Sequence, residues 1–219
     1  MTFTNNSDAG AQSYANWLGL PRNRFVVLKN GVDIAGLDAE PPYSYDQLGI
    51  RDGAPVVCGI FRLTPTKRPL LWLKTAFEIA QSQPDVHFVI VGDGPLRRAC
   101  VEQIEKSGLS GRFHLLGETP SPARLLRLSN ALLLTSEMEG AANALLEAQC
   151  LGVPVICTDV GGNSDSIYEG VTGWISKSTD PNELAGLVVS AMTDTAKIAS
   201  VKKEGRNFIT NHFGLDRMV

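Results

Sequence analysis

From about residue 54 onward, short unbroken apolar runs alternate with amphipathic segments. PVVCGIF (55–61), HFVIVG (87–92), RFHLLG (112–117), ALLLTS (131–136), VPVICTD (153–159) and GWIS (173–176) read as strands. The segments between them predict helices over 69–81, 95–107, 122–129, 142–151 and 181–192, with a weaker one near 163–169. Because the apolar runs do not alternate with polar positions, the strands should be covered on both faces. Strand and helix in repetition, punctuated by Gly, Pro and Asp, predict an α/β fold with a doubly wound, Rossmann-like parallel sheet. Residues 1–53 differ: only FVVLKNGVD (25–33) looks strand-like, and 36–46 reads as a Pro-containing loop. The predicted organisation is an entry segment with one strand (1–53), a ligand-binding α/β domain (54–195) and a helical C-terminal extension (196–219).

Composition narrows the partners. The chain has 219 residues, 43% hydrophobic and 20% charged, with a net charge of −3. Nothing in that balance would draw nucleic acid or an anionic membrane surface. No apolar run approaches the roughly 20 residues that span a bilayer. The four cysteines, at 58, 100, 150 and 157, form no C-x-x-C and no zinc-like spacing with histidines. Cys58 and Cys157, in short apolar runs, read as buried free thiols, and the cysteine usage suits a reducing cytoplasm.

Three segments carry chemistry. In FRLTPTKRP, Arg62 and Lys67 follow a predicted strand, at the sheet edge where α/β proteins bind ligands. A planar guanidinium and a compact ammonium together suit a diphosphate, although loop cations are as readily plain solvated charges. In EGAANALLEAQC, a helix beginning near Ala142 sets Asn143 and Glu147 on one face. The free N–H groups at its start favour anionic oxygens. Gly140, Ala141 and Ala142 keep that approach clear of bulk. Glu147 is placed to accept two hydroxyl hydrogen bonds, as a ribose offers, and Glu139 could reach a second sugar. The alternative is a helix-dipole role for Glu139 and a solvent-facing Glu147.

The third segment, VIVGDGPLRR, has G-x-G after a strand, but Arg97 stands where a dinucleotide fingerprint has its third glycine. No strand-end acid stands about 20 residues further on; the nearest, Glu118, is 24 residues past Gly94. NAD is therefore disfavoured, and a tight turn near a ligand is the better reading. TDVGGNSDSI (158–167) reads as a glycine turn between strand and helix. There is no D-x-D, H-E-x-x-H, P-loop or G-x-S-x-G.

In order and spacing, these segments resemble the C-terminal, donor-binding domain of the family 4 retaining glycosyltransferases of GT-B type. NGVD (30–33) looks like the lead-in to that domain, FRLTPTK its phosphate loop, and VIVGDGP and FHLLGE its next strands and turns. SEMEGAANALLEAQCLGVPVICTDVGG matches its E-x7-E signature with the trailing G-x-P-V and G-G. The resemblance implies that Arg62 and Lys67 hold the donor diphosphate, that Glu147 takes the ribose and that Glu139 takes the transferred hexose. It further implies that backbone amides from Gly140 to Ala144 serve phosphate and sugar, and that the Gly117–Thr119 loop flanks the base. Arg62, Lys67 and Glu139 would be the catalytic groups, acting with retention and with no cofactor or metal. The expected partner is a nucleotide-diphosphate sugar, in polysaccharide or glycoconjugate synthesis.

Two positions depart from the family: Phe61 precedes Arg62 where many members have Gly, and Asp165 follows the G-G where Glu is usual. The family's N-terminal acceptor domain has no counterpart here, so it is expected in cis on a longer chain or in trans. A cytoplasmic location follows, with membrane contact only through that half. The rivals are a non-catalytic nucleotide-sugar-binding domain and a nucleotide-sugar epimerase of the same architecture.

Overall fold

The chain, described over residues 2–217 in a computed structural model, begins with a small parallel unit. β1 (Phe3–Asn5) pairs with β2 (Phe25–Val27) across α1 (Asp8–Leu18). Ser7 caps α1 by accepting the Gly10 N–H at 3.0 Å. The Phe3 and Phe25 rings stack at 5.1 Å, with Ala11 and Ala15 buried against them. α2 (Ile34–Ala39) starts at Asp33, whose carboxylate accepts the Gly36 N–H at 2.9 Å. The entry segment thus holds two strands and two helices, where the sequence pattern offers one strand and a loop. β1 is only three residues long, too short to register as a periodicity. α2 has only six residues and is followed by Pro41 and Pro42, so its cap is its one helix signal.

The main sheet follows the apolar runs. Its elements are β3 (Val56–Ile60), α3 (Pro69–Ser82), β4 (His87–Val91), α4 (Arg97–Ser107), β5 (Phe113–Gly117), α5 (Ala123–Leu126), β6 (Ala131–Leu134), α6 (Asn143–Cys150), β7 (Val155–Thr158), β8 (Gly173–Ser176), α7 (Pro181–Thr193) and α8 (Thr195–Phe213). Six strands lie in the order β5-β4-β3-β6-β7-β8, all parallel. β3, β6 and β7 are buried almost throughout, which is why their sequences are unbroken apolar runs. The chain builds outward from β3 through β4 to β5, then returns to β3's other side with β6. That reversal opens a crevice at the carboxyl ends of β3 and β6.

Residues 163–169 do not form the weak helix that their pattern suggests. A 3-10 run spans Gly161–Ser166 instead. Asn163 and Ser166 turn buried side chains onto nearby carbonyls, of Thr158 at 3.0 Å and Gly162 at 2.9 Å, and so compete with helical pairing. α8 turns back across the molecule, bent by 77° from α7. Asp194 both ends α7 and caps α8. α8 closes a second core with Val32, Leu146, Cys150, Ile209 and Phe213, and Arg206 grips Asp38 in a paired hydrogen bond. The entry segment is thereby fastened to the C-terminal helix. All four cysteines are buried free thiols, and burial pushes Cys58 up to about 12.

Candidate functional site

The crevice wall after β3 is a loop held by its neighbour. The Phe61 N–H donates to Val91 O at 3.0 Å, the Leu63 N–H to Asp93 O at 2.9 Å, and the Leu96 N–H to Leu63 O at 2.9 Å. Gly92, at φ +132°, backs onto this loop so closely that a Cβ would lie 2.0 Å from Phe61 O. The glycines of G-D-G form the tight turn that their sequence suggests, and they let it pack directly on the backbone of the Arg62 loop. Phe61 is buried with its ring 6.2 Å from Trp72, so the departure at this position fills core beneath the loop.

Beyond Arg62 the loop tightens into a 3-10 turn, Pro65–Lys67, and Arg68 adopts a left-handed backbone at φ 47°. That conformation costs on the order of 1–2 kcal/mol in an L-residue. Contacts from the end of β6 hold it. Thr135 Oγ1 donates to the carbonyls of Lys67 (3.3 Å) and Arg68 (3.1 Å), and Arg68 pairs with Glu137 at 3.2 Å. The result turns Lys67 toward the β6 loop, where its Nζ lies 2.6 Å from Glu139 Oε1.

Glu139 is fixed from three sides. Ser136 Oγ donates to the same Oε1 at 2.6 Å, and Ser136 O accepts from Thr158 Oγ1 at 2.5 Å, with Ser136 and Thr158 themselves buried. Gly161, at φ +54°, runs directly beneath, where a Cβ would come within 1.8 Å of Glu139 O. The G-G after β7 is thus the mould for the glutamate loop rather than a plain connection. Asp165, two residues beyond Asn163, is exposed.

α6 begins next to this loop without a side-chain cap at Ala142. Asn30 Nδ2 reaches across from the entry segment to donate to Ala141 O at 3.0 Å and Asn143 Oδ1 at 2.6 Å. Glu147, one turn into α6, is half-buried, and burial alone pushes its carboxyl above the usual carboxylate range. No ion pair or side-chain hydrogen bond among the described residues involves Glu147 or the exposed Arg62.

One cavity of about 580 Å³ gathers Arg62, Lys67, Glu139, Ala141, Ala142, Asn143, Ala144 and Glu147, together with Asn6 and Asn30. It adjoins two others. A recess of about 270 Å³ shares Glu147 and is lined by Leu37, Glu40 and Pro120–Ala123. A cleft of about 690 Å³ shares Asn6, Arg62, Lys67 and Glu139, and Gly140 and Tyr14 lie along it. Each glutamate therefore stands where two compartments meet.

Gly117 and Thr119 are not on the central cavity. The Gly117 carbonyl accepts the Gly92 N–H at 2.7 Å, and the Thr119 hydroxyl lies 3.1 Å from that of Tyr43. It is the next residues, from Pro120, that reach the recess beside Glu147. Asn6, Asn30 and Ser136 are the cavity and support residues that sequence reasoning passes over. Asn30 lies in N-G-V-D and had that signal; the other two carry none. Among the described residues no three His, Cys, Asp or Glu side chains cluster as metal ligands, and no single helix is long and apolar enough to cross a membrane.

Comparison with known proteins places the chain in a family and a fold. The family model of the glycosyl transferases group 1 matches residues 44–208. The chain belongs to that family. It is similar to the Vi polysaccharide biosynthesis protein VipC/TviE of Salmonella typhi, 34% identical over 79% of this chain and 31% of the relative. It is also similar to the UDP-Gal:alpha-D-GlcNAc-diphosphoundecaprenol alpha-1,3-galactosyltransferase of Escherichia coli, 30% identical over 90% of this chain and 52% of the relative. The chain thus spans about a third to a half of these curated relatives. Among solved structures, Anabaena HepE in complex with UDP and glucose superposes with a TM-score of 0.87 at 24% identity, covering 99% of this chain and 60% of that one. That likeness fixes the fold: the glycosyltransferase domain has the GT-B architecture.

Proposed function

We propose that the chain is the donor-binding part of a glycosyltransferase that takes a nucleotide-diphosphate sugar and transfers the sugar, with retention, to a polysaccharide or glycoconjugate acceptor. One observation carries this reading: a single cavity collects two cations, an uncapped helix start and both glutamates of E-x7-E. Arg62, Lys67 and the start of α6 face the charge that grows on the leaving diphosphate as the glycosidic bond breaks, which is where preorganised positive groups lower a barrier. Glu147, unpartnered at the mouth of the smaller recess, accepts the ribose hydroxyls, with the base beyond it toward Pro120. Glu139 accepts hydroxyls of the transferred sugar through Oε2, since its contacts with Lys67 and Ser136 are both made by Oε1. A similar protein crystallised with UDP and glucose supports this class of ligand. The opposite wall of the active site comes from an α/β acceptor domain, in cis or in trans.

With Arg62, Lys67 and a helix start supplying positive potential, binding should need no divalent cation. UDP, GDP and ADP are titrated into the 219-residue chain with and without excess EDTA. We expect one of them to bind at millimolar concentration or below, unchanged by EDTA, with no sugar transfer by the chain alone. A loss beyond about tenfold with EDTA, roughly 1.4 kcal/mol, would mean that a metal bridges the phosphates and that the basic pair is misassigned.

A further inference from the structure

We propose that Glu139 competes with a bound diphosphate for the Lys67 ammonium, so that the site holds the bare nucleoside diphosphate product loosely and lets it go; this rests on the donor reading above. The two groups that this reading assigns to separate parts of the ligand are in direct contact, Lys67 Nζ to Glu139 Oε1 at 2.6 Å. Their side chains are only 20% and 8% exposed, so water screens the pair far less than a surface ion pair. The carboxylate is also held from below. Ser136 holds the same oxygen at 2.6 Å, Thr158 holds Ser136, and Gly161 packs under the glutamate's backbone.

A diphosphate entering beside Arg62 and Lys67 must therefore share its ammonium with a fixed negative charge. Arg62 has no such competitor among the described residues, and it takes the larger part of the attraction. The penalty differs between substrate and product. A nucleotide sugar carries its terminal phosphate as an ester with one ionisable oxygen and offers Glu139 hydroxyl donors in return. The diphosphate left after transfer exposes a terminal phosphate whose second ionisation lies near pH 6, adding close to one further negative charge at neutral pH. It offers Glu139 no donor. The carboxylate thus disfavours the product more than the substrate, and release follows from the charge that the reaction itself creates.

Isothermal titration of UDP, GDP and ADP into wild type, Glu139→Gln, Glu139→Asp and the double variant Lys67→Met/Glu139→Gln tests this. Melting curves run in parallel confirm folding. For the nucleotide that binds wild type, Glu139→Gln should tighten affinity about fivefold, the effect of removing one poorly screened charge a few ångströms away. Glu139→Asp, which keeps the charge but draws it back from Lys67 by one methylene, should tighten it by less. In the double variant the gain should vanish, leaving affinity at or below wild type, because there is no ammonium left to release. Wild-type binding with unchanged or weaker affinity in Glu139→Gln and Glu139→Asp overturns the competition and leaves the donor reading intact. So does a double variant that still binds more tightly than wild type. Failure of wild type to bind any of the three nucleotides instead overturns the donor reading itself.

Discussion

Glu139 and Glu147 stand eight positions apart in the chain and in opposite electrostatic situations. Glu139 has an ammonium and a hydroxyl on one oxygen, while Glu147 is half-buried, with no partner among the described residues and a carboxyl pushed upward by burial. A group whose folded-state pKa is raised opposes folding when ionised, so Glu147 costs stability at neutral pH and eases as pH falls. Glu147→Gln removes that cost while weakening acceptance of hydroxyl hydrogen bonds. We expect it to raise the melting temperature of the free chain by roughly 2–4 °C, the shift that about 1 kcal/mol gives in a domain of this size. The same variant should weaken the nucleoside diphosphate roughly tenfold, since hydrogen bonds to a charged acceptor exceed neutral ones by about that much. A variant both less stable and equally able to bind would return Glu147 to a structural role. The E-x7-E spacing was legible from residue types alone. The unequal surroundings of its two carboxylates were not, because Lys67 and Ser136 come from other elements.

The elements around the site act as moulds. The carboxyl ends of β3, β4, β6 and β7 each emit a loop, and the β4 loop packs on the β3 loop, and the β7 loop on the β6 loop, through backbone contacts that leave no room for a Cβ. Gly161→Ala meets two obstacles, a positive φ and a Cβ driven into the Glu139 carbonyl. We expect it to destabilise the chain by about 1–3 kcal/mol, read by urea or thermal unfolding, and to weaken nucleotide binding beyond what the lost stability accounts for. A folded Gly161→Ala that binds normally would show that the β7 loop does not position Glu139. Strand and helix identities from β3 to α7 were readable because each run is long and either uniformly apolar or regularly amphipathic. The exceptions are short or polar: β1 with three residues, α2 beside its prolines, and the 3-10 run at Gly161–Ser166, where Asn163 and Ser166 divert the backbone.

At the scale of the molecule, the sheet carries a pH-sensitive pair between β4 and its edge strand β5. His87 on β4 and His114 on the edge strand β5 face each other, Nδ1 to Nε2 at 3.1 Å. Burial lowers both pKa values; Arg112 and Arg51 add to the effect at His87, and His87 itself adds to it at His114. With folded-state values below the unfolded one near 6.5, the unfolded chain binds more protons as pH falls through that value, so this pair subtracts stability on the acid side. We expect wild type to lose more stability between pH 7.5 and 5.5 than His114→Gln does, measured as the shift in melting temperature of each. An equal shift in both would remove the pair from the acid response. The molecule is also tied end to end: Asp38 of the entry segment holds Arg206 of α8, and Asn30 clamps the start of α6. Part of the cavity wall is therefore made by residues 1–53.

The order of strands and helices, the parallel sheet, the ligand edge and the identities of Arg62, Lys67, Glu139 and Glu147 follow from local pattern, spacing and family resemblance. Each depends on neighbours within a turn or a strand, and such information is written along the chain. The contact of Lys67 with Glu139, the entry of Asn6 and Asn30 into the cavity, the use of Pro120–Ala123 rather than Gly117 and Thr119 at the recess, and the service of Gly92 and Gly161 to neighbouring loops arise from packing between segments far apart in sequence. No local period records those distances, and only the closed sheet, with α8 drawn back over the entry segment, brings the groups within reach.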